Sequence, residues 1–76
     1  MAGVVLAHGF GLAVREARLR CGVSQERLSE LANLDRTYVS GVERGVRNPT
    51  LDSMSRLAAA LGLALSDLVR RAEELN

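Results

Sequence analysis

Between residues 36 and 48 the chain carries three arginines (Arg36, Arg44, Arg47), one acid (Glu43) and the polar side chains of Thr37, Tyr38, Ser40 and Asn48. A guanidinium presents its donors in a fixed fork. It can grip guanine O6 and N7 with two parallel hydrogen bonds, worth about 1–3 kcal/mol of discrimination. The plain alternative for Arg36 is a surface arginine loosely paired with Asp35, worth roughly 0–1 kcal/mol. The methyl group of Thr37 can meet a thymine methyl while its hydroxyl bonds a base edge or a phosphate. Tyr38 leaves two readings open: its amphipathic ring can meet nucleic acid directly, or pack inward and donate to a phosphate from the edge. Ser40, Arg44, Arg47 and Asn48 suit phosphate contact, which positions a protein without reading sequence. An acid on such a surface would repel phosphate, so Glu43 is expected to point inward. Polar residues of these kinds are unusual choices for a small protein's central helix. They make sense if the helix faces the major groove of DNA.

The elements that must hold these groups are punctuated by glycines and caps. Helix 1 is expected over about 10–21, closed by Gly22 in a left-handed conformation, with Phe10, Val14, Ala17 and Cys21 as its inner stripe. Ser24 is a good N-cap for a second helix ending near Ala32, and Glu26 in its first turn suits the helix dipole. Asn33 tolerates the positive φ that the next turn needs, and Asp35 caps a third helix that stops at Gly45. Thr50 caps a fourth helix over about 51–61, closed by Gly62, and Ser66 caps a fifth running toward Leu75. Leu28, Leu31, Ala32, Leu34, Val39 and Val42 supply the apolar positions that lock helices 2 and 3 as a helix-turn-helix. The result is an all-α domain of five short helices over residues 9–76, preceded by a short tail of residues 1–8.

Size and composition exclude much else. The chain has 76 residues, enough for one small domain, and leaves no room for a second, effector-sensing or catalytic unit. Regulation is then expected to act through concentration, partner or DNA. The only aromatic residues are Phe10 and Tyr38, so the core must be aliphatic. One cysteine, Cys21, allows no intrachain disulfide and suits a reducing cytoplasmic setting, and it is read as a small buried or half-buried apolar residue. His8 is the only histidine, so neither a metal site nor a Ser–His nucleophile is credible; no enzyme activity, cofactor or small-molecule ligand is expected. The net charge is only +1, so the basic character is local to the 36–48 stretch. The apolar start, MAGVVLAH, is too short to span a bilayer and lacks the features of a signal peptide.

The run from Phe10 to Leu68 resembles the lambda-repressor-like (XRE) helix-turn-helix family. The pieces that carry the likeness are GLAVREARLRCGVSQERLSELANL, DRTYVSGVERGVRNPTL and LAAALGLALSDL. The stretch LDRTYVSGVERGVRNPT is most similar to the controller proteins of restriction–modification systems. Ser29 and Asn33 depart from the family, which commonly has Ala and Gly there; both replacements are small or turn-tolerant. The resemblance implies a lambda-repressor-like DNA-binding domain in which Ser24 and Gln25, at the start of helix 2, meet a backbone phosphate. Otherwise Ser24 only caps and Gln25 is solvated. The resemblance also implies a base-reading role for Arg36 and an ion pair between Glu43 and a helix-1 arginine, here Arg18.

One helix-turn-helix reads only a few base pairs, so a homodimer on a pseudo-palindromic operator is expected. Leu63, Leu65, Val69 and Ala72 are the candidate interface residues, in and after the helix 4–5 connection. The expected function is an operator-binding transcriptional regulator of controller type that acts on itself and blocks or assists RNA polymerase. The alternatives are an antitoxin that also grips a toxin, a phage-type repressor, and a module that docks only protein.

Overall fold

Local chemistry sets most of the helix boundaries. A computed structural model of the chain describes residues 6–76, which form α1 (Ala7–Cys21), α2 (Gln25–Ala32), α3 (Arg36–Glu43), α4 (Leu51–Ala60) and α5 (Leu65–Leu75). No strand occurs among the described residues, and the all-α architecture of five helices is the one expected. Ser24 Oγ accepts from the Arg27 amide at 3.0 Å, Asp35 Oδ1 from Thr37 at 2.8 Å, and Thr50 Oγ1 from Ser53 at 3.1 Å. Each of these satisfies an amide that the helix leaves free at its start, typically worth about 1 kcal/mol. Asn33 closes α2 at φ 54°, the left-handed conformation that the tight turn into α3 requires.

The helices bury one aliphatic core. Val14, Leu28, Val39, Val42 and Leu57 are fully enclosed, one or two from each of the first four helices, and Leu68 joins them from α5. Leu34, in the turn, packs against that core from its edge. Burying side chains of this size contributes roughly 1.5–3 kcal/mol each. The α2–α3 unit is therefore seated on a platform made by α1 and α4, and its geometry is fixed by the same residues that stabilise the fold.

Several expectations need correction, and each correction has a tertiary cause. Helix α1 begins at Ala7, a turn before the expected start, and takes in Gly9 and Gly11. Both glycines are buried because other backbones press on them. A Cβ at Gly9 would strike the Ala72 carbonyl, and one at Gly11 the Val42 carbonyl. Leu6, at the N-cap position of α1, supplies no side-chain cap. Asn76 does so from the other end of the chain, its Oδ1 accepting from the Gly9 amide at 3.1 Å. Of the expected tail, Leu6 to His8 belong to the start of α1, while residues 1–5 lie outside the described residues.

At the other end, α5 starts after Ala64 with no side-chain cap, and Ser66 is its second residue. Burial of Leu68 and packing of Leu65 set that start. Cys21 is exposed, because the buried side of α1 ends at Ala17. Leu31 is 46% exposed; it falls outside the Leu28, Ser29 and Ala32 side of α2 that faces the core. Ser29, where the related family commonly has Ala, is buried with its hydroxyl donating to the Glu26 carbonyl at 2.6 Å, so no polar atom is left unsatisfied.

Candidate nucleic-acid interface

Helix α3 is eight residues long, and its two sides differ in kind. Val39, Gly41, Val42 and Glu43 are buried, whereas Arg36 and Thr37 are exposed and Ser40 is half-exposed. Residues 36, 40 and 44 follow one another four apart, so Arg36, Ser40 and Arg44 line a single ridge. Asp35 does not neutralise the tip of that ridge. Its carboxylate is engaged with the Thr37 amide, and among the described residues no acid pairs with Arg36. Arg44 Nε donates to the Ser40 carbonyl at 3.4 Å, a long bond that leaves the rest of the guanidinium free.

Beneath the ridge lies a buried polar cluster. Glu43 points inward and accepts from Arg18 twice, Nε to Oε2 at 2.7 Å and Nη2 to Oε1 at 3.0 Å. This is the two-pronged geometry in which arginine–carboxylate pairs are strongest. Hydrogen bonding to Glu43 holds the Arg18 guanidinium above its ordinary pKa; partial burial opposes the shift and the charge of Glu43 adds to it. Arg18 also donates to the Val23 carbonyl at 3.0 Å, and Gln25 Nε2 donates to Glu43 Oε1 at 3.0 Å. One carboxylate therefore ties together α1, the start of α2 and the end of α3. It also removes the only acid of the 36–48 stretch from the surface, so the outer side of α3 and the following loop carries three arginines and no exposed carboxylate.

The loop after α3 folds back over the helix. Gly45, at φ 76°, lets the chain turn, and the Val46 amide donates to the Gly41 carbonyl at 3.0 Å. Arg47 then crosses α3 with its stem over Gly41 and its guanidinium 5.8 Å from the centre of the Tyr38 ring, within cation–π range. Tyr38 is half-buried: its ring packs against the edge of the core and lies beside the Arg47 guanidinium. Asn48 follows, exposed.

The expected DNA-facing residues Ser24, Arg36, Thr37, Ser40, Arg44, Arg47 and Asn48 are all at least partly accessible, from the start of α2 through α3 to the loop. Gln25 is half-buried and already committed to Glu43, so it holds the start of α2 in place from within. Sequence reasoning missed Gly41. Glycine inside a helix costs roughly 1 kcal/mol relative to alanine, and an unexplained one in so short a helix was the available signal. It also missed Val46, an apolar side chain 66% exposed in the loop beside Arg47.

The four residues expected at a subunit interface are not brought together. Ala72 is fully buried where α5 meets α1, so it serves the core and not an interface. Val69 lines an apolar groove of about 390 Å³ with Leu6, Phe10, Pro49 and Met54. Leu63 borders a different, charged groove beside Glu16 and Arg71. Leu65 is half-buried against the core. Among the described residues no group of acidic, histidine or cysteine side chains could hold a metal ion, and no helix is long and apolar enough to cross a membrane.

Known proteins carry the same pattern. Residues 14–68 match the helix-turn-helix family. The chain is 44% identical over 61 residues to the control protein C.BamHI of Bacillus amyloliquefaciens, covering 79% of this chain and 75% of that one. It is 38% identical over 60 residues to the control protein C.MunI of a Mycoplasma species, covering 78% and 81% respectively. The crystal structure of the restriction–modification controller protein C.AhdI of Aeromonas hydrophila superposes with a TM-score of 0.79 at 48% identity, over 83% of this chain and 94% of that one.

Proposed function

This chain belongs to the helix-turn-helix family, alongside the controller proteins of restriction–modification systems, and from that premise we propose that it is a sequence-specific transcriptional regulator that binds operator DNA as a homodimer. The observation that carries the reading is the outer side of α3, with Arg36, Thr37, Ser40 and Arg44 exposed and Glu43 turned inward against Arg18. A helix so arranged can enter the major groove without meeting its own negative charge.

Within that groove Arg36 reads a guanine edge and Thr37 a neighbouring base, while Ser24, Ser40, Arg44, Arg47 and Asn48 hold phosphates on either side. Tyr38 acts with Arg47 as described above. Gln25 supports the start of α2 through Glu43, and the first α2 amides, ahead of the Arg27 amide that Ser24 caps, face a phosphate. Two copies pair and so place two α3 helices about one helical turn of DNA apart. Bound at a promoter, such a dimer acts on RNA polymerase, and protein concentration is the input signal.

Selection of bound duplexes from a random DNA pool at physiological salt tests this reading, with the wild type and Arg36→Ala run in parallel. The expected outcome is a two-fold symmetric consensus from the wild type that blurs at one position per half-site in the variant. No enrichment by the wild type would overturn the DNA-binding reading. An asymmetric, single half-site would overturn the homodimer.

A further inference from the structure

We propose that Gly41 is a positioning residue for DNA binding: because it has no side chain, it forms the seat on which Arg47 crosses α3 and is held against Tyr38. The inference rests on the DNA-binding reading above and goes beyond it, because Gly41 itself touches no DNA.

Gly41 is buried, and the side chain nearest to the space a Cβ would fill is that of Arg47. A Cβ built there would come 2.6 Å from Arg47 Cγ, 3.2 Å from its Nε and 3.4 Å from its Cδ, and no other group presses as closely. This differs from Gly9 and Gly11, where the nearest obstacle is backbone. Tyr38 lies three residues before Gly41, on the adjoining turn of the same side of the helix. An arginine stem laid across Gly41 therefore delivers its guanidinium to the Tyr38 ring, and the 5.8 Å separation is the result. At that separation the guanidinium lies within cation–π range of the ring, an attraction that uses none of its N–H donors. Arg47 has no carboxylate partner among the described residues, so these donors are uncommitted. A flexible loop arginine is thereby ordered before DNA arrives, and the entropy of ordering it is not charged to binding.

The seat makes an unusual combination of effects. Alanine at position 41 collides only with a side chain that can swing away, and alanine favours a helix over glycine. Gly41→Ala should therefore melt no lower than the wild type while binding a selected operator duplex about three- to tenfold more weakly, with a reduced salt slope. In an Arg47→Ala background nothing occupies the seat, and adding Gly41→Ala should change affinity less than about twofold. A second readout needs no DNA. In the wild type the Arg47 side-chain protons should show a ring-current shift in NMR spectra, lost in both Tyr38→Leu and Gly41→Ala.

Equal losses from Gly41→Ala with and without Arg47, unchanged affinity, or a marked drop in melting temperature would each overturn the seat. So would Arg47 resonances that ignore either substitution. If the wild type binds no duplex at all, the functional reading falls, and the spectra alone decide whether the seat exists.

Discussion

The α1–α5 seam and the α3 ridge use the same residue type in opposite ways. All ten cationic side chains of this protein are arginines. Along the seam Arg71 donates to Glu16 at 2.8 Å through both Nε and Nη2, and to Glu74 at 3.1 Å; Arg20 also approaches Glu16, and Arg70 meets Asp67. On the ridge and its loop, Arg36, Arg44 and Arg47 have no carboxylate partner among the described residues. Arg15 on α1 is the one arginine outside the ridge that shares this state. The net charge of +1 conceals this division, because the acids cluster where arginines serve the fold. An arginine answered by its own chain is structural, and an unanswered one is open to a phosphate or a base.

The largest expected effect is at the joint between the two regions. Glu43→Ala leaves Arg18 mostly enclosed without its carboxylate and frees Gln25 as well, so unfolding should become easier by about 3 kcal/mol. Chemical denaturation measures it. A loss under about 1 kcal/mol would mean that Arg18 finds water instead, and that the carboxylate holds the helices together less than the geometry implies.

A smaller effect separates the two kinds of unpaired arginine. Arg44→Ala should leave the melting temperature unchanged and reduce the dependence of log K on log salt by about one phosphate's worth. Arg15→Ala should leave both unchanged. Affinity titrations at several salt concentrations decide it, and equal responses would show that a lack of partners alone does not mark the DNA-facing side.

The smallest effect belongs to the seam. Hydrogen bonds from Arg71 hold the Glu16 carboxyl below its ordinary pKa of 4.5; desolvation opposes the shift, and the charges of Arg71 and Arg20 add to it. A carboxyl depressed in the folded state stabilises the fold above its unfolded pKa, and that stabilisation fades as pH falls through the lower folded value. The difference in melting temperature between wild type and Glu16→Gln should therefore be present at neutral pH and vanish in acid below 4.5. Arg71 is exposed and Glu16 partly so, so the difference should stay small, and a gap that persists in acid would assign it to packing instead.

The division between what could and could not be read from the chain follows the same physics. Ser24, Asp35 and Thr50 cap their helices within three residues, and Asn33 bends the chain within one; such chemistry is local and therefore visible in order of residues. The exposure of Arg36 and Thr37 and the inward turn of Glu43 were legible for a related reason, because charge near phosphate has a sign. Other features depend on segments far apart in the chain. The early start of α1 rests on α5 pressing against Gly9, and Ala72 is buried by the same approach. Gln25 reaches Glu43 across 18 positions. The reason for a glycine at position 41 lies in Arg47, which the loop after α3 lays over it.

The bond between Asn76 and the Gly9 amide also bears on how the molecule comes into being. Gly9 and Asn76 are 67 positions apart, and α1 reaches its full burial only against α5. On a ribosome the α2–α3 unit emerges well before α5 can return to cover α1, and a contact spanning so much chain cannot form early. A nascent copy therefore carries its recognition helix before it can hold it steady, and competence arrives at once, when the last helix is free to close. Were abundance the signal, as proposed above, synthesis would then deliver finished molecules and no half-active ones.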